Sequence, residues 1–162
     1  IHTQEGFRTN LVEGVIAGDL DLALLSLPVA DHRLSIEPLF TEPLLLVVSK
    51  SHRLAGQKIV TAEDLATENF VLLGDSSTLT AQIQRFCGDH DFEPRIVHRC
   101  AQIATVKALV GLGVGISILP QVTRSHEDRR TLVYRALSGR APLREIAVVR
   151  HLQRYQSRGA EQ

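Results

Sequence analysis

The chain has 162 residues, enough for one domain or two small lobes, and its 44% hydrophobic content supports a buried core rather than a disordered tail. Its 18 basic and 18 acidic side chains cancel, so the charge balance gives no reason to expect nucleic-acid or membrane-surface binding by this chain. Two cysteines, Cys87 and Cys100, are too few for a disulfide scaffold, and no apolar run approaches the roughly 18 residues that span a bilayer.

Residues 1–4 read as a short strand, and a helix is expected over residues 6–17, striped by Phe7, Leu11 and Val15 and stopped by Gly18. Residues 19–26 follow as a buried strand closed by Pro28, so that strand, helix and strand arrive in the order of a parallel βαβ unit. Residues 36–40 and 43–48 read as two strands with a turn at Thr41-Glu42 between them. Residues 49–57 are polar and form a candidate crossing between lobes. Thr61 and Asp64 have capping-box spacing ahead of a short helix that holds Leu65. A strand over 70–73 and a turn over 74–78 lead into a helix whose apolar face carries Leu79, Ile83, Phe86 and Cys87, with Gly88 ending it. Residues 95–100 form the next strand.

The most informative stretch is residues 102–120, QIATVKALVGLGVGISILP. Ile103, Val106, Leu109 and Val110 stripe one helical face, with Lys107 off the stripe and free to point to water. Gly111, Gly113 and Gly115 let the helix end, and residues 116–119 form an apolar strand stopped by Pro120. A strand apolar on both faces, directly after a helix, suggests a parallel sheet covered by helices. Residues 131–137 and 145–150 read as the last strands, and residues 151–162 as a polar frayed helix or tail.

The helix ending ALVGLGVGI, with its short strand closing on Leu119-Pro120, resembles the effector-binding domain of LysR-type transcriptional regulators. LVEGVIAGDLDLALL (11–25) and EPLFTEPLLLVVSKSHRLA (37–55) resemble two further blocks of that family, in the expected order. The resemblance implies an α/β fold of two Rossmann-like lobes joined by two hinge strands, similar to type 2 periplasmic binding proteins, with an effector in the cleft between lobes. It divides the chain into lobe I, residues 1–48 plus 149–162, and lobe II, residues 49–148, with crossings near Ser49 and Val149. It further implies that the winged helix-turn-helix domain, and the first strand and helix of lobe I, lie outside this chain. The opening without methionine is read here as that of a fragment.

Ser76, Ser77 and Thr78 stand at the start of a helix, where backbone N–H groups and the positive end of the helix dipole suit a carboxylate or another small anion. Ordinary helix capping explains the same residues. Arg8 occupies the place where the family block carries a threonine, with Thr9 next to it; an arginine there favours an anionic effector through paired hydrogen bonds, whereas a solvated arginine is the plain alternative. Gln102 opens the following helix and is a candidate for the same cleft. Ser26, at the end of its strand, is a weaker one.

The segment from Gly74 to Cys87 resembles the peroxide-sensing, OxyR-like branch of the family. Cys87 matches its resolving cysteine, but Thr78 or a neighbour stands where the reactive cysteine belongs, and a hydroxyl cannot replace a thiolate. The dithiol switch therefore does not carry over, and Cys87 reads most simply as a buried small hydrophobe, as does Cys100. The seven histidines show no metal spacing. No nucleophile elbow, P-loop or dinucleotide fingerprint occurs. Gly111 to Gly115 follows a helix and precedes a strand, the reverse of a phosphate cradle.

These readings converge on a cytoplasmic, non-enzymatic regulatory domain without cofactor or metal. It binds a small, anionic effector and acts through a homodimer or homotetramer, with DNA contacted only through the missing domain and no membrane contact. The alternatives are a peroxide sensor working through the single thiol of Cys87 and a solute-binding protein of the same fold.

Overall fold

A computed structural model of the chain describes residues 2–139 and 141–153. By contacts the chain forms two compact units, residues 1–41 with 144–162, and residues 42–143. The division falls earlier on both passes than the Ser49 and Val149 expected from sequence. The polar segment read as a crossing, residues 49–57, belongs instead to the second unit. There it folds into a 3₁₀ turn, Arg53–Gly56, with Leu54 fully buried and His52 Nδ1 accepting from the Leu54 N–H at 3.2 Å.

In the first unit, helix α1 (Arg8–Ala17) ends at Gly18, whose φ of 88° is the left-handed conformation that glycine adopts at least cost. Val15 is buried, but Phe7 precedes the first turn and is 76% exposed, so it does not join the helical stripe. Strand β1 (Leu22–Ser26) pairs antiparallel with β8 (Leu143–His151), from Leu22 opposite Arg150 to Ser26 opposite Ile146. The parallel βαβ opening is therefore corrected. Burial alternates along β1, with Ala23 and Leu25 inside and Leu24 exposed, the period-two pattern of a strand with one open face. Residues 2–7 have no regular structure, Ile1 lies outside the described residues, and the expected tail falls there too beyond Gln153.

Strand β2 (Leu34–Ser49) is continuous through Pro38, Thr41, Glu42 and Pro43, where two strands and a turn were expected. The ladder bonds of its second half run from Leu44 onward, so neither proline has to donate to them. Its first residues belong to the first unit and its last to the second.

In the second unit, the end of β2 lies between β6 (Ser117–Pro120) and β7 (Leu132–Leu137), antiparallel to both. Strand β3 (Ile59–Val60) runs parallel to β7. Helix α2 (Ala62–Leu65) carries the expected capping box: Asp64 accepts from the Thr61 N–H at 2.9 Å, and Thr61 Oγ1 accepts from the Asp64 N–H at 3.3 Å. Strand β4 (Asn69–Leu73) pairs parallel with β5 (Arg95–Cys100), with helices α3 (Thr78–Gly88) and α4 (Ile103–Gly111) following them in turn. Ile116 bridges Phe70 in parallel, yet β6 itself is antiparallel to β2, so burial on both faces marked β6 as interior without fixing its direction.

The core of this unit gathers Leu44, Leu46, Leu54, Leu65, Phe70 and Ile83, all at most 1% exposed. Val106 and Val110 bury the α4 stripe against it. Lys107 does not point to water: its ammonium is within 2.7 Å of Asp128 and donates to the Thr123 carbonyl. Gly115 is required by a close approach, because a Cβ there would stand 2.5 Å from the Asn69 carbonyl oxygen. That spacing lets Ile116 N–H donate to Asn69 O at 2.7 Å.

Candidate functional site

Parallel pairing of β4 and β5 sets Leu73 opposite Cys100, so both strands end at the same edge. Gly74 continues the ladder one residue further by donating to the Cys100 carbonyl at 3.0 Å. From this edge the chain turns into α3 through residues 74–77 and into α4 through residues 101–102. Two helix N-termini therefore open beside each other at the carboxyl ends of two parallel strands, where α/β proteins place ligands.

The turn before α3 is closed by the Ser77 N–H donating to Gly74 O at 3.0 Å, and the first turn of the helix is tied back by Thr80 Oγ1 donating to Leu73 O at 3.0 Å. Thr80 is 1% exposed, so this tie is internal. Ser77 is the N-cap of α3 and Gln102 that of α4, yet neither side chain caps its helix, and neither first turn holds an acidic residue. An anion at this edge meets two positive helix ends with no carboxylate already seated in either first turn. Asp75, in the turn before α3, is engaged by Arg99 at 3.0 Å. Arg99, in β5, was not singled out from sequence; an arginine in a strand carries no signal of its own until the pairing with β4 brings Asp75 beside it.

The structure thus brings Ser76, Ser77, Thr78 and Gln102 to one edge of the second unit; Ser76 and Gln102 are exposed, Ser77 and Thr78 half-buried. Arg8, the first residue of α1, belongs to the first unit, where its guanidinium donates to the Pro28 carbonyl. Thr9 is exposed and bonds Asn10. Ser26 ends β1 with a buried hydroxyl that has no hydrogen-bond partner among the described residues.

Cys87 lies on the inner face of α3 with no exposure, and burial pushes its thiol up to about 12. Cys100 is also buried, its thiol raised for the same reason, and both cysteines are free. A reactive cysteine needs thiolate character and access, and Cys87 has neither. No helix among the described residues is long and apolar enough to cross a membrane.

The model of the LysR substrate binding domain matches residues 1–162, the whole chain. The chain belongs to this family. It is 30% identical over 162 residues to the uncharacterized HTH-type transcriptional regulator YcgK of Bacillus subtilis, covering 89% of this chain and 49% of the relative. It is 29% identical over 150 residues to the DNA-binding transcriptional dual regulator OxyR of Escherichia coli, covering 92% of this chain and 49% of OxyR. Among solved structures, the C-terminal domain of a probable LysR family transcriptional regulator from Rhodococcus sp. RHA1 superposes with a TM-score of 0.85 at 28% identity, covering 97% of this chain and 78% of that one. The chain spans about half the length of the curated relatives it matches. The fold is the mixed α/β fold of LysR effector-binding domains, and this chain is such a domain.

Proposed function

We propose that this LysR effector-binding domain is the sensing part of a cytoplasmic transcription regulator, and that its effector is a small anion, a carboxylate in the first instance. The observation that carries the reading is the shared edge of β4 and β5, where α3 and α4 open side by side without an acidic residue in either first turn. Backbone N–H groups hold the charge there, while the hydroxyls of Ser76, Ser77 and Thr78 and the amide of Gln102 select its shape. Arg8 is a further proposed effector residue on the family resemblance, competing with its bond to Pro28. Effector binding favours one of two conformations of the chain, and contacts in a homodimer or homotetramer pass the difference to a DNA-binding domain of the whole protein. No step of this role requires catalysis, a cofactor or a metal. The family match, and relatives named as transcriptional regulators, support this over a solute-binding protein. The buried, high-pKa thiol of Cys87 counts against peroxide sensing.

Thermal unfolding with a panel of small carboxylates and inorganic anions at constant ionic strength tests the reading. A ligand that binds the folded state raises the midpoint in proportion to its occupancy. The expected outcome is a specific rise that a Ser77→Ala, Gln102→Ala double variant largely loses. An anion that stabilises wild type and variant equally sits elsewhere, and either that result or no stabilising anion at all overturns the proposal.

A further inference from the structure

A second concentration of charge lies in the same unit and shares no residue with the edge of β4 and β5. After β6 the chain makes a 3₁₀ turn, Glu127–Arg130, and returns as β7; between them is a surface pocket of about 200 Å³. Arg124, Arg129 and Arg135 all line it, with Asp128 and Tyr134. Three arginines lining one small opening give it a surplus of positive charge that favours a counter-charge there.

Asp128 is not that counter-charge. Its Oδ2 accepts from Lys107 Nζ at 2.7 Å, from the Ser125 N–H at 2.8 Å and from the Tyr134 hydroxyl at 2.7 Å. Lys107 and Asp128 are 15% and 11% exposed, so the carboxylate is balanced by a half-buried lysine from α4. The arginines are committed differently. Arg135 is fixed, with Nε donating to the Ala55 carbonyl at 3.0 Å and a second nitrogen to Tyr134 O at 3.2 Å. Arg124 stands over the Tyr134 ring at 5.5 Å, and neither it nor Arg129 makes a side-chain hydrogen bond or ion pair among the described residues. Arg124 and Arg129 thus line the pocket as exposed side chains with uncommitted donors, while the third arginine is anchored to the backbone.

We propose that this pocket is a second ligand site of the chain and takes a phosphate group, free or on a small ester. Guanidinium forks match phosphate oxygens in pairs, and two uncommitted forks suit a dianion. The volume is below the roughly 300–1,000 Å³ of drug-sized ligand sites, which limits the occupant to a compact group. Leu132 and Val133 supply an apolar wall that fits the carbon side of an ester.

The test is calorimetric titration of the chain with inorganic phosphate and with glycerol 3-phosphate, in chloride buffer of matched ionic strength. Wild type, an Arg124→Gln, Arg129→Gln variant and Arg130→Gln are compared, with circular dichroism to confirm folding. Arg130 neighbours the site but does not line it. Saturable binding of either probe that weakens about tenfold or more in the double variant, and is retained in Arg130→Gln, supports the site. Binding of the ester alone, or of both, tells an ester ligand from the free ion. Absence of saturable binding by both probes overturns the proposal, as does equal weakening by Arg130→Gln, which marks diffuse charge instead of a pocket. Ser77→Ala leaves this binding unchanged, so failure here and failure at the β4–β5 edge are separable.

Discussion

Lys107 Nζ lies 2.7 Å from Asp128 Oδ2, joining α4 to the 3₁₀ turn before β7 across 21 residues of sequence. Side chains this covered are screened less than surface pairs, and the same oxygen also takes the Tyr134 hydroxyl and the Ser125 N–H. Truncating the lysine leaves a covered carboxylate without its cation. Lys107→Ala should therefore lower unfolding stability by about 2 kcal/mol, read from the midpoint and slope of urea unfolding. A change within a few tenths would show the pair to be no stronger than an exposed one.

The same carboxylate gives a pH dependence. Burial by itself raises the Asp128 carboxyl, but the hydrogen bonds from Lys107, Ser125 and Tyr134 outweigh it and hold the group at about 2, below the ordinary 3.8. A lowered folded-state value means that the contribution is full above the ordinary value and is lost as pH falls from there through about 2. Between about pH 4 and pH 2 the wild type should lose stability more steeply than Asp128→Asn, which cannot titrate there. Parallel acid-unfolding curves for the two proteins would contradict this account.

Gly115 sits where a Cβ would come 2.5 Å from the backbone oxygen of Asn69. A backbone atom cannot swing aside, so Gly115→Ala must push β4 and the start of β6 apart and stretch the bonds from Ile116 to Asn69 and from Val71 to Ile116. The expected cost is roughly 3 kcal/mol. Gly113→Ala makes a useful comparison, because nothing crowds that site and only its φ of +79° is strained, at roughly 1 kcal/mol. Equal melting temperatures for the two variants would remove the close approach as the reason for Gly115.

Cys87 should be silent to a thiol reagent in the native protein and react only on unfolding, since it is wholly buried with its thiol pushed up to about 12. Intact mass after stoichiometric peroxide should be unchanged. An added oxygen, absent in Cys87→Ser, would restore the single-thiol sensor.

Much of the second unit was legible from local pattern. The stripe through Val106 and Val110, the capping box of Thr61 and Asp64, and the inward face holding Ile83, Phe86 and Cys87 all depend on neighbours within one or two helical turns. What sequence misplaced depends on partners far along the chain. Lys107 was read as solvated because helical spacing put it off the apolar stripe; its partner stands 21 residues on. Thr41 and Glu42 read from sequence as a turn between two strands, whereas β2 runs straight through them, with the ladders of its second half beginning beyond them. The site residues divide in the same way. Ser76, Ser77, Thr78 and Gln102 were recognisable as helix starts, but their meeting at one edge rests on the register of Leu73 opposite Cys100.

The sequence alone determined the α/β class, most helix and strand positions, the family and the absence of the paired cysteines of a dithiol switch, because periodicity, caps and ordered blocks are local properties of the chain. Tertiary structure decided strand direction, the fate of Lys107 and which arginines share a pocket. An apolar run or a charged side chain reports that it needs burial or a partner, and the partner is chosen only when distant segments are brought together.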